Sequence, residues 1–133
     1  MLKAATAGQV LAVPADCGGS FLSIDDFVQV VDLLLGVDLE GGNVYNLASA
    51  YVTWKEIARL VVDVTGSAAP IRVLPRTQWT GAAFLADRWE LDDRRIRAEM
   101  GFKPTRDLVG LRLALREAIA ATWASVRTKG RDA

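Results

Sequence analysis

The sequence of 133 residues contains no histidine and a single cysteine, Cys17. Without histidine it cannot form a Ser-His-Asp triad or a Cys-His nucleophilic pair, and one cysteine cannot complete a zinc site or an internal disulfide. The absence of a disulfide fits a reducing compartment. We therefore expect no metal site and no catalytic residue of these types, and we interpret Cys17 as a small packing residue.

Long apolar runs and an excess of one charge are also missing. No stretch approaches the roughly 18 apolar residues of a membrane span, and the first 13 residues have no continuous apolar core of a signal peptide. The formal net charge is zero, which argues against general nucleic-acid binding. A hydrophobic fraction of 51% excludes a disordered tail. We expect a cytoplasmic chain that contacts neither membrane nor nucleic acid and forms a single domain over residues 1–133.

The balanced net charge conceals an asymmetry along the chain. Residues 1–71 contain three Lys/Arg and eight Asp/Glu, whereas residues 72–133 contain thirteen and eight. The first part therefore carries a charge of about −5 and the second about +5. A cationic C-terminal part is a candidate for binding an anionic ligand.

Hydrophobic periodicity predicts an α/β fold that is rich in helix and has two or three short strands. Thr53 and Glu56 form a capping box that begins a helix, and Gly66 ends it. Further helices are predicted at residues 25–35, at 92–100 and from 108 onward, and strands at 44–47 and 71–74. Residues 1–20 are interpreted as a connector, with a possible short strand at 10–13, and residues 128–133 as a frayed tail.

Several polar residues are candidates for chemistry. Tyr51 and Lys55 have the Tyr-x-x-x-Lys spacing of a dehydrogenase pair, but Thr53 begins the helix between them, and no Gly-x-Gly-x-x-Gly turn is present to hold a dinucleotide. We interpret the spacing as chance. The acidic pairs at 25–26 and 92–93 diverge by about 100° if helical, which suits capping better than acid–base catalysis.

Residues 76–91 show neither helical nor strand-like hydrophobic periodicity and are predicted to be a long, irregular loop. Arg76 and Arg88 in this loop either bind a phosphate or form solvated ion pairs. Trp79 either stacks on a base or sugar, or packs within the protein or against a partner. Trp54 and Trp123, on predicted helices, are interpreted as packing anchors.

Three segments in order resemble the C-terminal lobe of extended short-chain dehydrogenases, the NAD-dependent sugar-nucleotide epimerase/dehydratase family. Residues 21–28, Phe-Leu-Ser-Ile-Asp-Asp-Phe-Val, are similar to that family's Phe-Ile-His-Val-Asp-Asp-Val-Ala. Residues 42–49 and the helix after them resemble its Val-Tyr-Asn-Leu-Gly strand and Ser-Trp-x-Glu-Leu helix. Residues 92–104 and the final helix resemble Asp-x-Ser-Lys-Ala-x-x-x-Leu-Gly-Trp-x-Pro and its trailing helix.

The resemblance implies that this chain is the substrate-binding lobe alone, since the Rossmann domain of the family holds NAD and the catalytic Tyr/Lys pair. By position, Arg76 resembles the family's diphosphate-contacting arginine, Asp92 marks the segment beside it, and Asn46 is part of the lobe's inner wall. Two positions depart from the family. Gly19 stands where an arginine is often found, and Ser23 replaces the histidine.

The expected function is therefore binding of a nucleotide-diphosphate sugar, with Arg76, Asn46, Asp92, Arg88 and Trp79 as binding residues. No catalytic, metal or cofactor-binding residue is expected in this chain, and NAD belongs to the full-length family. The alternative is a relic lobe that acts as a self-association or protein-interaction module. Expected partners are a second copy or a separate Rossmann domain, because a lobe without its neighbouring domain exposes an apolar face. A third hypothesis is a small enzyme that uses Tyr51 and Lys55.

Overall fold

The computed structural model describes residues 1–37 and 42–129 of the chain. The α/β, helix-rich fold predicted from the sequence is confirmed, although the described residues form five short strands instead of two or three. The helices are α1 (Leu2–Thr6), α2 (Ile24–Leu35), α3 (Trp54–Thr65), α4 (Arg94–Met100) and α5 (Leu108–Lys129). The strands are β1 (Leu11–Pro14), β2 (Gly18–Phe21), β3 (Ala50–Thr53), β4 (Ile71–Leu74) and β5 (Arg88–Trp89). No helix in this part of the chain has the length and apolar character needed to cross a membrane.

The strands form two small sheets. β1 pairs in parallel with β4, so that Leu11 lies opposite Ile71. In the second sheet β2 is central, with β3 antiparallel on one side and β5 parallel on the other. Parallel neighbours require a long crossover connection, and the one from β1 to β4 contains α2 and α3. Strand β2 therefore brings together segments that are far apart in the sequence.

Helix α3 begins and ends where its sequence predicts. The Thr53 hydroxyl accepts a hydrogen bond from the backbone N–H of Glu56 at 3.2 Å, and the Glu56 carboxylate accepts one from the backbone N–H of Thr53 at 2.8 Å. Gly66 ends the helix with a φ of 63°, a left-handed conformation that glycine adopts without steric cost. Ala58 and Val61 face inward from this helix and are buried. The predicted capping box is thus confirmed.

Two apolar clusters form the core. The first lies between α1, α3 and the β1–β4 sheet, and its buried members are Ala5, Leu11, Val13, Ala58, Val61 and Ala69. The second lies between α2 and α4 and contains Val30, Ile96 and Phe102. Gly101 ends α4 with a φ of 67°, and Phe102 directly after it is 1% exposed.

A buried carboxylate connects the second cluster to the sheet. Asp26 is 0% exposed and accepts hydrogen bonds at 2.6 Å from both the backbone N–H and the hydroxyl of Thr105, together with one from the hydroxyl of Ser49. Burial alone would raise the pKa of Asp26, but these hydrogen bonds lower it below its ordinary value. The ionised side chain therefore fixes α2, the start of β3 and the segment before α5 relative to one another.

The interpretation of residues 1–20 as a connector is wrong. These residues form α1, β1 and most of β2, and Ala5, Leu11, Val13 and Cys17 are each at most 3% exposed. Small and apolar side chains made the segment look like a linker, but the same side chains fill the space between β1 and α3. Cys17 is a free, buried cysteine, in agreement with its predicted packing role.

The strand predicted at residues 44–47 is also wrong. This segment has no strand pairing, and its Tyr45 and Leu47 side chains pack against the second cluster instead. The Tyr45 hydroxyl donates a hydrogen bond to Glu99 on α4 at 2.7 Å. These tertiary contacts outweigh the β-favouring composition of residues 44–47.

The final helix begins at Leu108 as predicted, but its apolar stripe is only partly covered. Leu111 is 2% exposed, whereas Val126 near the far end is 51% exposed. The predicted frayed tail overlaps this helix, which continues to Lys129, and residues 130–133 lie outside the described residues. Trp54 packs against the first cluster, as predicted.

Candidate functional site

A cleft of about 180 Å³ lies beside the three-stranded sheet, at the start of α4. Its lining comes from three separate segments, around residue 20, at residues 48–51 and at residues 90–97. The polar lining side chains are those of Ser20, Ser49, Tyr51, Glu90, Asp93 and Arg97. Hydroxyl, carboxylate and guanidinium groups in one concave site are suited to binding a polar ligand.

The pairing of β2 with both neighbours creates this cleft. Antiparallel pairing sets Ser20 opposite Tyr51 of β3, and parallel pairing sets Gly18 beside Arg88 of β5. A side chain at Gly18 would fall on the carbonyl oxygen of Val52 and within 2.7 Å of the Cα of Thr53. Glycine at this position therefore permits the close approach of β3 that brings Tyr51 to the cleft.

Tyr51 is the most unusual group in the cleft. Its hydroxyl is buried and has no hydrogen-bond partner in the described part of the chain. The guanidinium of Arg88 lies 4.9 Å from the centre of its ring, a cation–π contact. Burial raises the pKa of Tyr51, so the side chain is a neutral phenol near pH 7 and can donate a hydrogen bond. Tyr51 belongs to β3 and Lys55 to the first turn of α3, so the two do not share a helical face, as predicted.

Arg97, which lines the cleft, and Arg88, which stacks on Tyr51, are both held by neighbouring carboxylates. Arg88 contacts Glu90 with an N–O distance of 2.6 Å, and Arg97 contacts Asp93 at 2.7 Å. The hydrogen bond to Glu90 raises the pKa of Arg88. The Arg88–Glu90 pair is exposed and adds little net stability, because solvent already screens both charges, so a phosphate could replace Glu90 at small cost. The Asp93 side chain is only 14% exposed, so replacing it at Arg97 costs more.

Two of the predicted binding residues, Asn46 and Asp92, meet at the rim of this cleft. The Asn46 side chain donates a hydrogen bond to the backbone carbonyl of Asp92 at 3.2 Å, although 46 residues separate them. Leu91 and Asp93, on either side of Asp92, line the cleft. Hydrogen bonds from Arg94 hold the pKa of the Asp92 carboxyl at about 2. Asp92 is therefore a carboxylate near neutral pH and is poorly suited to act as a general acid.

The remaining predicted residues differ in their distance from the cleft. Arg88 stacks on Tyr51, whereas Arg76 forms an ion pair at 2.5 Å with Asp87, the residue before Arg88. Trp79 is occupied within its own loop. Its indole covers Gly81 and donates a hydrogen bond to the carbonyl of Ala82 at 2.9 Å. The structure thus brings Asn46 and Asp92 together at the rim and stacks Arg88 on Tyr51 of the cleft. Arg76 is connected to this region only through its ion pair with Asp87, and Trp79 does not line the cleft.

Four polar cleft residues were missed from the sequence, namely Ser20, Ser49, Glu90 and Arg97, and Asp93 was interpreted as a capping residue. The Ser20 hydroxyl accepts a hydrogen bond from the backbone N–H of Leu91 at 2.9 Å, a contact across 71 residues that no local pattern reveals. Arg97 could have been found, because its i,i+4 spacing from Asp93 is typical of a helical ion pair. No group of three or more His, Cys, Asp and Glu side chains in the described residues could hold a metal ion.

Comparison with solved structures identifies proteins with the same fold. The Bordetella bronchiseptica enzyme WbmG in complex with NAD and UDP is 25% identical, with a TM-score of 0.64 over 90% of this chain and 38% of that chain. RMD from Pseudomonas aeruginosa complexed with NADPH is 25% identical, with a TM-score of 0.60 over 94% of this chain and 38% of that chain. The dTDP-glucose 4,6-dehydratase of Bacillus anthracis in complex with NAD is similar in fold alone, at 17% identity and a TM-score of 0.56 over 96% and 38%.

No protein-family model matches the sequence, and no curated protein matches it significantly. The chain spans about 38% of the length of the solved enzymes that it resembles. The predicted resemblance to one lobe of a larger enzyme architecture is confirmed.

Proposed function

The chain has the fold of the C-terminal lobe of the extended short-chain dehydrogenases, and from this premise we propose that it binds a nucleotide-diphosphate sugar in the cleft beside β2. The observation that carries the proposal is a cleft lined by Tyr51 and Arg97, with Arg88 stacked on the Tyr51 ring. Asn46 and Asp92 meet at its rim. WbmG, which has a similar fold, was solved in complex with NAD and UDP, and this supports a nucleotide diphosphate as the ligand.

The arginines supply the diphosphate contacts in this proposal. Arg88 and Arg97 each exchange a carboxylate partner for a phosphate oxygen, and a guanidinium binds phosphate in a bidentate manner. Tyr51 contributes its ring to the cleft, where Arg88 stacks on it, while its hydroxyl is buried. Arg76 can contact a phosphate oxygen only when its ion pair with Asp87 breaks. Asn46 holds the rim in place, and Trp79 reaches the ligand only if its loop opens.

Gly19 stands where the family often has an arginine, and this difference affects the expected affinity for the nucleotide-diphosphate sugar. A Cβ at this position would lie 3.4 Å from the Trp54 ring, an ordinary van der Waals contact. Glycine supplies no cation at this position. We infer weaker binding than in a site that also carries an arginine at position 19, with a Kd on the order of 0.1–1 mM for the lobe alone.

We expect no oxidoreductase activity from this chain alone. The sequence has no Gly-x-Gly-x-x-Gly turn for a dinucleotide, and Tyr51 and Lys55 lie in different elements. We propose that the nicotinamide cofactor is bound by a separate Rossmann domain when the lobe is part of a complete enzyme. Tight binding of NAD by the 133-residue chain would contradict this proposal.

Titration calorimetry with UDP, with a UDP-sugar and with NAD tests the function. We expect binding of UDP, and Arg88→Ala should weaken it about tenfold, because one charge-assisted hydrogen-bond pair is lost. Arg116→Ala is the control, since this arginine lies exposed on α5, whereas Arg88 stacks on the cleft residue Tyr51. Equal affinities for UDP in the unmodified chain and the Arg88 variant would refute the assignment of the cleft. If Arg76→Ala leaves the affinity for UDP unchanged, Arg76 is not part of the site.

A second candidate function is an interaction module, and one observation favours it. Helix α2 exposes large apolar side chains on its outer side, including Ile24 at 72% and Leu35 at 82%. Exposed apolar patches of this kind usually mark a contact surface. The two functions are distinguished by measuring UDP binding and self-association on the same sample.

A further inference from the structure

A second recess, of about 240 Å³, lies between α3 and α5 and is named here the α3–α5 groove. It is lined by Glu56, Arg59 and Leu60 of α3 and by Arg112 of α5. The three α3 residues are three or four positions apart or adjacent, so they lie along one side of that helix. Two guanidinium groups and one carboxylate therefore meet in the groove. Its volume is below the roughly 300–1,000 Å³ of sites for drug-sized molecules, which favours a small ligand.

The carboxylate of Glu56 already has partners within the protein. One of its oxygens accepts hydrogen bonds from the backbone N–H and the hydroxyl of Thr53, at 2.8 and 2.7 Å. The other oxygen accepts a hydrogen bond from Arg112. Burial alone would raise the pKa of Glu56, but the hydrogen bonds from Thr53 and Arg112 lower it below its ordinary value. The ionised carboxylate therefore positions the Arg112 guanidinium and offsets one of the two positive charges.

Arg59 provides the positive charge that is not offset. It is exposed and forms no ion pair with any residue in the described part of the chain. The Arg112 side chain is paired with Glu56 and yet 41% exposed. Its Nε is buried, so a ligand reaches this guanidinium through the terminal nitrogens. The groove therefore offers one unpaired cation and further N–H donors beside it.

The outer side of α3 beside the groove is charged. Lys55, Arg59 and Asp63 repeat every four residues along the helix, and all three are exposed. On α5, Arg116 lies one turn after Arg112 and is exposed as well. Charged residues are depleted from the cores of protein interfaces. This side of the chain is therefore suited to solvent, and the groove to a small solute.

We propose that the α3–α5 groove binds a phosphoryl group, as inorganic phosphate or as a small phosphate monoester, between Arg59 and Arg112. A phosphoryl group presents at least three oxygens, enough for guanidinium groups from two different helices, whereas a carboxylate presents two. Leu60 offers an apolar contact to the organic part of a monoester. Because Glu56 partly offsets the attraction, we expect a Kd on the order of 1 mM. The proposal does not depend on the nucleotide function.

Titration followed by ¹H–¹⁵N NMR spectroscopy tests the site, with inorganic phosphate, glycerol 3-phosphate and acetate as probes. Inorganic phosphate should shift the amide signals of Arg59, Leu60 and Arg112 along saturable curves, and acetate should bind at least about fivefold more weakly. Tighter binding of glycerol 3-phosphate than of inorganic phosphate assigns the groove to monoesters, and equal or weaker binding assigns it to the free ion. The proposal is overturned by shifts centred on the cleft residues Tyr51 and Arg97, by equal binding of acetate, or by no saturation up to about 20 mM phosphate.

Two substitutions should change the phosphate affinity in opposite directions. Arg59→Ala should weaken binding about fivefold, because the cation that remains is already paired. Glu56→Gln should strengthen it about threefold, since it releases Arg112 while glutamine can still complete the capping box. Arg72→Ala is the matched control, because Arg72 is also exposed and without an ion pair in the described residues but lies on β4. An unchanged affinity in either groove variant, or a loss in the control equal to that of Arg59→Ala, would refute the site.

Discussion

The buried carboxylate of Asp26 offers a direct test of how the fold is held together. The Asp26→Asn substitution keeps the shape of the side chain and one acceptor oxygen, but it removes the charge. In the structure one carboxylate oxygen accepts both hydrogen bonds from Thr105 and the other accepts that from Ser49. Hydrogen bonds to charged groups contribute about 1.5–3 kcal/mol each, and the amide retains some of them. We therefore expect a loss of about 2 kcal/mol in the free energy of unfolding.

The Asp26→Ala variant should lose about 4 kcal/mol, since it leaves the donors of Thr105 without an acceptor in a buried position. Urea denaturation followed by circular dichroism measures both variants. Asp25→Asn is the matched control, because the Asp25 side chain is 53% exposed and contacts Arg106 at the surface. The control should unfold close to the unmodified chain.

The same carboxylate predicts a dependence of stability on pH. The pKa of Asp26 is lower in the folded chain than the value of about 3.9 expected when unfolded. The unfolded chain therefore takes up the proton first, and acid favours unfolding. The stabilisation is complete above about pH 5 and is lost as the pH falls through the folded pKa. Asp26→Asn should show a flatter decline below pH 4, and an identical decline in variant and unmodified chain would refute this reasoning.

Two further predictions concern backbone positions and are measured by thermal denaturation. Gly18→Ala should destabilise the chain by about 2–3 kcal/mol, because the added methyl group collides with the carbonyl of Val52, whereas Gly19→Ala should be tolerated, with its nearest neighbour at 3.4 Å. Equal stability of the two alanine variants would contradict the proposed packing of β2. Thr53→Ala should cost about 1 kcal/mol, since Glu56 then loses its reciprocal partner at the start of α3, and an unchanged melting temperature would show that the capping box is not needed.

The candidate site could be predicted only in part from the sequence. Arg88 was identified because guanidinium groups in an irregular loop suit phosphate binding, and Asn46 and Asp92 because of the family resemblance. Tyr51 was considered for a different role, since the spacing to Lys55 is visible in the sequence and the cation–π contact with Arg88 is not. Ser20 lies at the cleft because β2 pairs with two distant strands, and such pairing leaves no local pattern.

The sequence by itself determined the features that depend on neighbours along the chain. The capping box at Thr53 and the glycines at 66 and 101 define where α3 and α4 begin or end, because the chemistry that ends a helix lies within one turn of it. The strand at residues 71–74 likewise follows from composition.

Only the tertiary structure decided which surfaces these elements cover. The first 20 residues became core because α3 and β4 lie against them. Residues 44–47 did not become a strand, because Tyr45 and Leu47 pack against the second cluster. The two apolar sides of α2 are equivalent in the sequence, and packing against α4 decided which one is buried and which is exposed. Contacts between distant segments make these choices, and periodicity along one segment carries no information about its partner.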